Sequence, residues 1–199
     1  MEDDRSPRII AVYGFLGSGK TTVVLHLARE LVSAGGRAAV VVNEAGQVPL
    51  DGKVLLAGGL PVREIFSGCV CCTLAGDFIE TLKELIKLQD LNYILIEPSG
   101  LADAPRLFEA LEKHVRLPTA RALILDAPRL SLLLRAARPL ITAQVRLADV
   151  TIVNKMDALS RSQAEELNLI LADLSLRGPV HRLSARAGLP RELIRAMLQ

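Results

Sequence analysis

The chain has 199 residues, half of them hydrophobic but only 3% aromatic, and a formal net charge of +2. That length suits a single domain with an aliphatic core, and scattered Lys and Arg without interleaved aromatics argue against a nucleic-acid surface. No apolar run is long enough to span a membrane, the acidic start MEDDRSPRII is unlike a secretory signal, and the cysteines, odd in number and crowded into 69–72, fit a reducing cytoplasm better than a disulfide framework.

A first strand is predicted over 8–13, and it runs directly into Gly14-Phe15-Leu16-Gly17-Ser18-Gly19-Lys20-Thr21, a complete GxxxxGK[ST]. Glycines in such a loop turn successive N–H groups toward phosphate oxygens. The helix that follows, predicted over 20–34, adds the positive end of its dipole. Lys20 can reach the β- and γ-phosphates and Thr21 offers its hydroxyl to magnesium, so the stretch reads as a nucleoside triphosphate site. After a strand over 38–43 comes Glu44, an acid on the same sheet edge and a candidate for magnesium, with Asp51 a further one.

A third strand is predicted over 62–66, followed by SGCVCCTL with Cys69, Cys71 and Cys72. Thiolates select zinc, cuprous copper or soft-bound cobalt and nickel. Residues two apart share a face of an extended chain and adjacent ones do not, so Cys69 and Cys71 pair more readily than Cys71 and Cys72. Three thiolates and one further ligand (Glu44, a His or a partner's group) make a tetrahedral site, and their place on one loop suits transfer better than scaffolding. A redox sensor and buried inert thiols are the alternatives. His26, His114 and His181 read as structural or solvated.

A helix over 75–89 leads to a strand over 93–97 that ends in Glu97-Pro98-Ser99-Gly100. Glu97 can hold magnesium through water or position the attacking water, and Gly100 leaves backbone room beside the γ-phosphate. Next are a helix over 105–114, a strand over 120–126, two helices over 129–136 and 139–147, and a strand over 149–154 that enters Asn154-Lys155-Met156-Asp157. The carboxylate of Asp157 can accept from guanine N1–H and the N2 amine, Asn154 can bond the acceptor edge, and the Lys155 stem can cover the base plane. A site of this kind rejects adenine, so GTP and GDP are favoured over their adenine counterparts and a P-loop kinase is disfavoured. A helix over 162–174, a strand over 180–184 and a helix over 190–198 close the chain, with backbone N–H groups at Ser184 and Ala185 facing the guanine oxygen. Strands such as AAVVV and YILIE are continuous apolar runs, as expected when both sheet faces are covered. The fold predicted is three-layer α/β, a P-loop NTPase arrangement with a mainly parallel sheet.

These segments, GFLGSGKTT, VVNEAGQVPLD, GCVCCTL, ILIEPSGLADAP, LADVTIVNKMD and SARAGL, together resemble the metallochaperone GTPases of the CobW, UreG and HypB group, CobW above all. The resemblance implies a dimer-forming GTPase that couples its nucleotide state to capture and delivery of zinc, cobalt or nickel, with a corrinoid-dependent system one candidate client, and the lack of a glutamine after ExxG predicts slow turnover without a partner. It implies phosphate roles for Gly14, Phe15, Leu16, Gly17, Ser18, Gly19, Lys20, Thr21 and Thr22, and the ExxG role for Glu97 and Gly100. The guanine role falls on Asn154, Lys155 and Asp157, and the metal role on Cys69, Cys71 and Cys72. Two departures stand out. Ala45, Gln47 and Pro49 occupy a segment that relatives often write with an aromatic and a second acid. The expected unit is one GTP-binding domain over 1–199, without the second C-terminal domain typical of CobW-like proteins. A nucleotide-switched docking module whose hydrolysis is only a timer is the competing expectation.

Overall fold

The computed structural model describes residues 6–42, 74–87, 91–98 and 104–198, and the strand expected over 62–66 lies outside them. The described elements run β1 (Arg8–Gly14), α1 (Lys20–Ser33), β2 (Ala38–Val42), α2 (Leu74–Lys87), β3 (Tyr93–Glu97), α3 (Ala104–His114), β4 (Thr119–Asp126), α4 (Leu130–Leu147), β5 (Val150–Asn154), α5 (Arg161–Asp173), β6 (Val180–Arg182) and α6 (Arg191–Leu198). Their strands form one six-stranded sheet of order β2-β3-β1-β4-β5-β6 in which every pairing is parallel.

The continuous apolar strands have the physical cause expected of them. β1 alternates Ile9, Ala11 and Tyr13 into a core under α2, α3, α4 and α5, and Ile10 and Val12 into a second core under α1 and α6. Helices therefore cover both faces, and β2 and β5 are buried along their full length. Each helix contributes one apolar stripe, Val23, Val24, Leu27 and Leu31 on α1 and Leu107, Phe108 and Leu111 on α3. The buried Tyr13 hydroxyl donates to the Gln144 carbonyl oxygen at 2.9 Å, and its ring meets Phe108 edge-on at 5.2 Å.

One element meets the expectation and another falls short of it. The two helices expected over 129–136 and 139–147 both lie along α4, where the backbone leaves helical geometry between them at Ala137 (φ −148°, ψ 39°), two residues before Pro139. Proline removes a donor and crowds the preceding turn, which separates the two halves. Leu130 and Leu134 before the kink and Ile141 and Val145 after it keep both halves on the same core. β6 ends at Arg182, short of the expected 184, and pairs with Thr151, Ile152 and Val153 of β5.

β1 lies between β3 and β4, so the chain leaves the sheet centre in one direction for β2 and crosses to the other side for β4. Ligands bind α/β sheets at such a switch point, outside the carboxyl ends of the strands. The loop 14–21 occupies it.

Candidate nucleotide site

The loop after β1 can take its shape only with glycine at particular places. Gly14 has φ 143°, and a Cβ there would lie 2.3 Å from the Ile124 carbonyl oxygen of β4. Gly17 (φ 73°) and Gly19 (φ 101°) are left-handed, and a Cβ on Gly19 would meet Asn154 Nδ2 at 2.3 Å. α1 starts at Lys20 with no side-chain cap on its first N–H groups, so its positive end opens on the loop. Lys20 is buried and its ammonium donates to the Phe15 carbonyl oxygen at 3.3 Å.

Seventy-six positions apart in sequence, Thr21 Oγ1 donates to Glu97 Oε1 at 2.8 Å. Parallel pairing of β1 with β3 brings the tip of β3 beside the loop, where Glu97 is buried. A hydroxyl and a carboxylate converging at the positive end of a helix are hard oxygen donors of the kind magnesium takes alongside phosphate oxygens, and the two residues fit the magnesium role expected of them.

Asn154, at the tip of β5, is buried and held at both ends. Its Nδ2 donates to the Ser18 carbonyl oxygen at 2.8 Å, and its Oδ1 accepts from the Ala185 N–H at 2.8 Å. It thereby ties the phosphate loop to the 183–186 turn and keeps one Nδ2 hydrogen for a base. The Ala185 N–H, expected to face a guanine oxygen, instead orients Asn154. Lys155 is left-handed (φ 65°), and its ammonium donates to the Gly17 carbonyl oxygen at 2.5 Å and to Asp126 Oδ2 at 2.7 Å.

The Asp157 N–H donates to Ser184 Oγ at 3.0 Å, and the Ser184 hydroxyl donates back to Asp157 Oδ1. The Ser184 hydroxyl above all, then the backbone N–H of Asp157 and the Arg186 charge, hold this exposed carboxyl below its ordinary range. Gly19, Thr22, Asn154, Lys155, Asp157 and Arg186 line one cavity of about 320 Å³. A larger cavity of about 450 Å³, bounded by Leu31, Tyr93, Arg191 and Arg195, takes none of the motif residues. The smaller one is therefore the candidate base pocket.

Two residues of the site escaped the sequence reading. Asp126 ends β4 almost fully buried, and Arg129 follows it in a short 3-10 turn. Arg129 Nε donates to Asp126 Oδ2 at 2.8 Å and its Nη2 to the Leu16 carbonyl oxygen at 2.7 Å. No spacing rule marks them, but the order of the sheet does, since the tip of β4 must lie next to the loop after β1. Glu44, Asp51, Cys69, Cys71, Cys72 and Gly100 lie outside the described residues. Among the described residues no three His, Cys, Asp or Glu side chains are grouped to hold a metal.

A phosphate loop at the switch point of a parallel sheet, joined by an NKxD strand end, defines a P-loop nucleotide-binding domain. The chain belongs to the CobW/HypB/UreG family, whose nucleotide-binding domain matches residues 8–182. It is 31% identical to the zinc chaperone CobW of Pseudomonas aeruginosa over 202 residues, covering 84% of this chain and 52% of that one. It is 35% identical to the zinc chaperone YeiR of Escherichia coli over 161 residues, covering 78% and 48%. The chain thus spans about half the length of the curated relatives it matches. In fold it is similar to HypB from Helicobacter pylori, solved in complex with nickel, with a TM-score of 0.62, 19% identity, and coverage of 98% of this chain and 83% of that one.

Proposed function

We propose that this chain binds and hydrolyses GTP with magnesium and uses the GTP and GDP states to take up and release a transition metal at Cys69, Cys71 and Cys72. The observation that carries the nucleotide half is the convergence of Asn154, Lys155 and Asp157 with the loop glycines on one cavity, beside the contact of Thr21 with Glu97. In this reading Lys20 offsets phosphate charge, loop N–H groups cradle the β-phosphate, and Asp157 reads guanine N1–H and N2. Glu97 and Gly100 hold the attacking water and give the γ-phosphate room. Magnesium would be held by Thr21 and Glu97, with Glu44 a further ligand, and supplies charge neutralisation across the phosphates.

The cargo is zinc, nickel or cobalt, handed to a client protein in the cytoplasm, and the working form is a homodimer. Relatives named zinc chaperones and a fold neighbour solved with nickel support the first two metals. The thiolate pattern supports all three.

A competition assay tests the nucleotide half. A fluorescent GDP should be displaced by GDP and GTP at least a hundredfold more readily than by ADP and ATP, and equal displacement would sink the guanine assignment. For the metal half, zinc binding by the reduced protein should fall on replacing Cys69, Cys71 or Cys72 by Ser. Unchanged zinc affinity in all three variants would remove the thiolate site. Hydrolysis that stays undetectable with magnesium, metal and potassium present would leave a nucleotide-switched docking module in its place.

A further inference from the structure

Four successive carbonyl oxygens of the phosphate loop each accept from a different side chain. Phe15 accepts from Lys20, Leu16 from Arg129, Gly17 from Lys155 and Ser18 from Asn154. A held carbonyl fixes the direction of its own peptide: holding the Leu16 carbonyl sets the Gly17 N–H, while the Ser18 N–H closes the turn on the Phe15 carbonyl oxygen at 3.1 Å, so these contacts set the shape of the loop. Two of the four donors are organised by one buried group. Asp126 Oδ2 receives Arg129 Nε at 2.8 Å, Arg129 Nη2 at 2.7 Å and Lys155 Nζ at 2.7 Å, while the Asp126 side chain is 1% exposed. The β4–β5 register sets Asp126 directly opposite Asn154, next to the base-reading strand end. Arg129 also lies close against the loop, since a Cβ on Gly17 would be 3.2 Å from its Nη2.

We infer that Asp126 and Arg129 are positioning residues for the nucleotide: Asp126 ties the cations of Arg129 and Lys155 together, and through them holds the Leu16 and Gly17 carbonyls and with them the shape of the loop that receives the phosphates. The inference rests on the nucleotide-binding reading above. Arg suits the task because its planar fork spans a carboxylate and a carbonyl at once, whereas a lysine ammonium offers a single point of charge. The guanine edge is read elsewhere, by Asp157 and Ser184. Losing Arg129 should therefore weaken the grip on the phosphates and leave base preference alone.

The test measures release of a fluorescent GDP, affinity for GDP and for IDP (which lacks the N2 amine), and the melting midpoint without nucleotide. Arg129→Gln should release GDP about tenfold faster, the loss of one charge-assisted hydrogen bond. Its GDP-to-IDP preference and melting midpoint should stay close to those of the wild type, since the guanidinium is 44% exposed. Arg129→Lys should recover only part of the loss. Asp126→Asn should release GDP faster still, because it frees both cations, and adding Arg129→Gln to it should change little further. Release from Arg129→Gln within twofold of wild type would overturn the inference. So would a loss that merely tracks a lowered melting midpoint, or additive effects in the double variant. A wild-type protein that binds neither GDP nor IDP would overturn the nucleotide reading as well, which no variant result alone would do.

Discussion

Asp157 is exposed yet has a carboxyl held below its usual range, and the first cause is the Ser184 hydroxyl that both donates to it and accepts from its N–H. In the proposed site the ionised form is the one that accepts from guanine N1–H and N2. A lowered pKa keeps that form present as pH falls through the usual carboxylate range, and the contact is lost only below it. The preference for GDP over IDP, which cancels the titration of the phosphates, should therefore persist through that range. In Ser184→Ala the acid limb should move upward toward ordinary carboxylate values. Overlapping pH profiles of the two proteins would show that Ser184 does not tune the reader. Glycines give a second prediction at this scale, because their surroundings differ so sharply. Gly14→Ala drives a Cβ into the backbone of β4, which cannot swing away, whereas Gly35 (φ 86°) has nothing within 4 Å. Thermal unfolding should place Gly14→Ala at least about 2 kcal/mol below wild type and Gly35→Ala only about 1 kcal/mol below it, the cost of left-handed backbone alone. Equal costs at the two positions would mean that β4 yields to the added methyl.

At the scale of elements, α5 illustrates a start written plainly in the sequence. Ser160 Oγ accepts from the Gln163 N–H at 3.3 Å and Gln163 Oε1 accepts from the Ser160 N–H at 2.9 Å, a reciprocal capping box. Ser160→Ala should lower the unfolding free energy by about 1 kcal/mol, measured by denaturant titration, and no change would mean that the cap is replaced by water. Most of the frame was legible for the same kind of reason. Short-range patterning fixes where IIAVY and YILIE become strands, and GxxxxGK[ST] and NKxD fix which ends carry chemistry. What stayed hidden depends on long-range contact. That the two halves of α4 pack on one core follows only from Leu130, Leu134, Ile141 and Val145 meeting the same partners. Arg129 reaches the Leu16 carbonyl across 113 positions of sequence, and the contact of Asp126 with Lys155 follows only once β4 and β5 are paired. The roles given to Glu44, Gly100 and the three cysteines rest on sequence and on the family alone, since those residues lie outside the described ones.

For the whole molecule, the sheet determines what the nucleotide can influence. The tips of β1, β3, β4 and β5 carry the phosphate loop, Glu97, Asp126 and Asn154, and β2 ends at the same edge with Val42 directly opposite Glu97 in the parallel register. β2 ends at Val42 and α2 begins at Leu74, and Cys69, Cys71 and Cys72 fall between these positions in sequence. Val42 is thus one strand away from the carboxylate that meets Thr21. In the proposed mechanism, binding of magnesium and the γ-phosphate at Glu97 is coupled to metal binding at the cysteines. Thermodynamic linkage then imposes a quantitative condition: the factor by which GTP alters zinc affinity must equal the factor by which zinc alters GTP affinity, typically about 5- to 150-fold. Zinc titrations with a non-hydrolysable GTP analogue and with GDP, and nucleotide titrations with and without zinc, measure both sides of the cycle. We expect the two factors to agree, and to fall to unity together in Cys71→Ser, which removes one of the proposed metal ligands. Identical zinc affinity in the two nucleotide states would break the coupling, even if both ligands bind tightly.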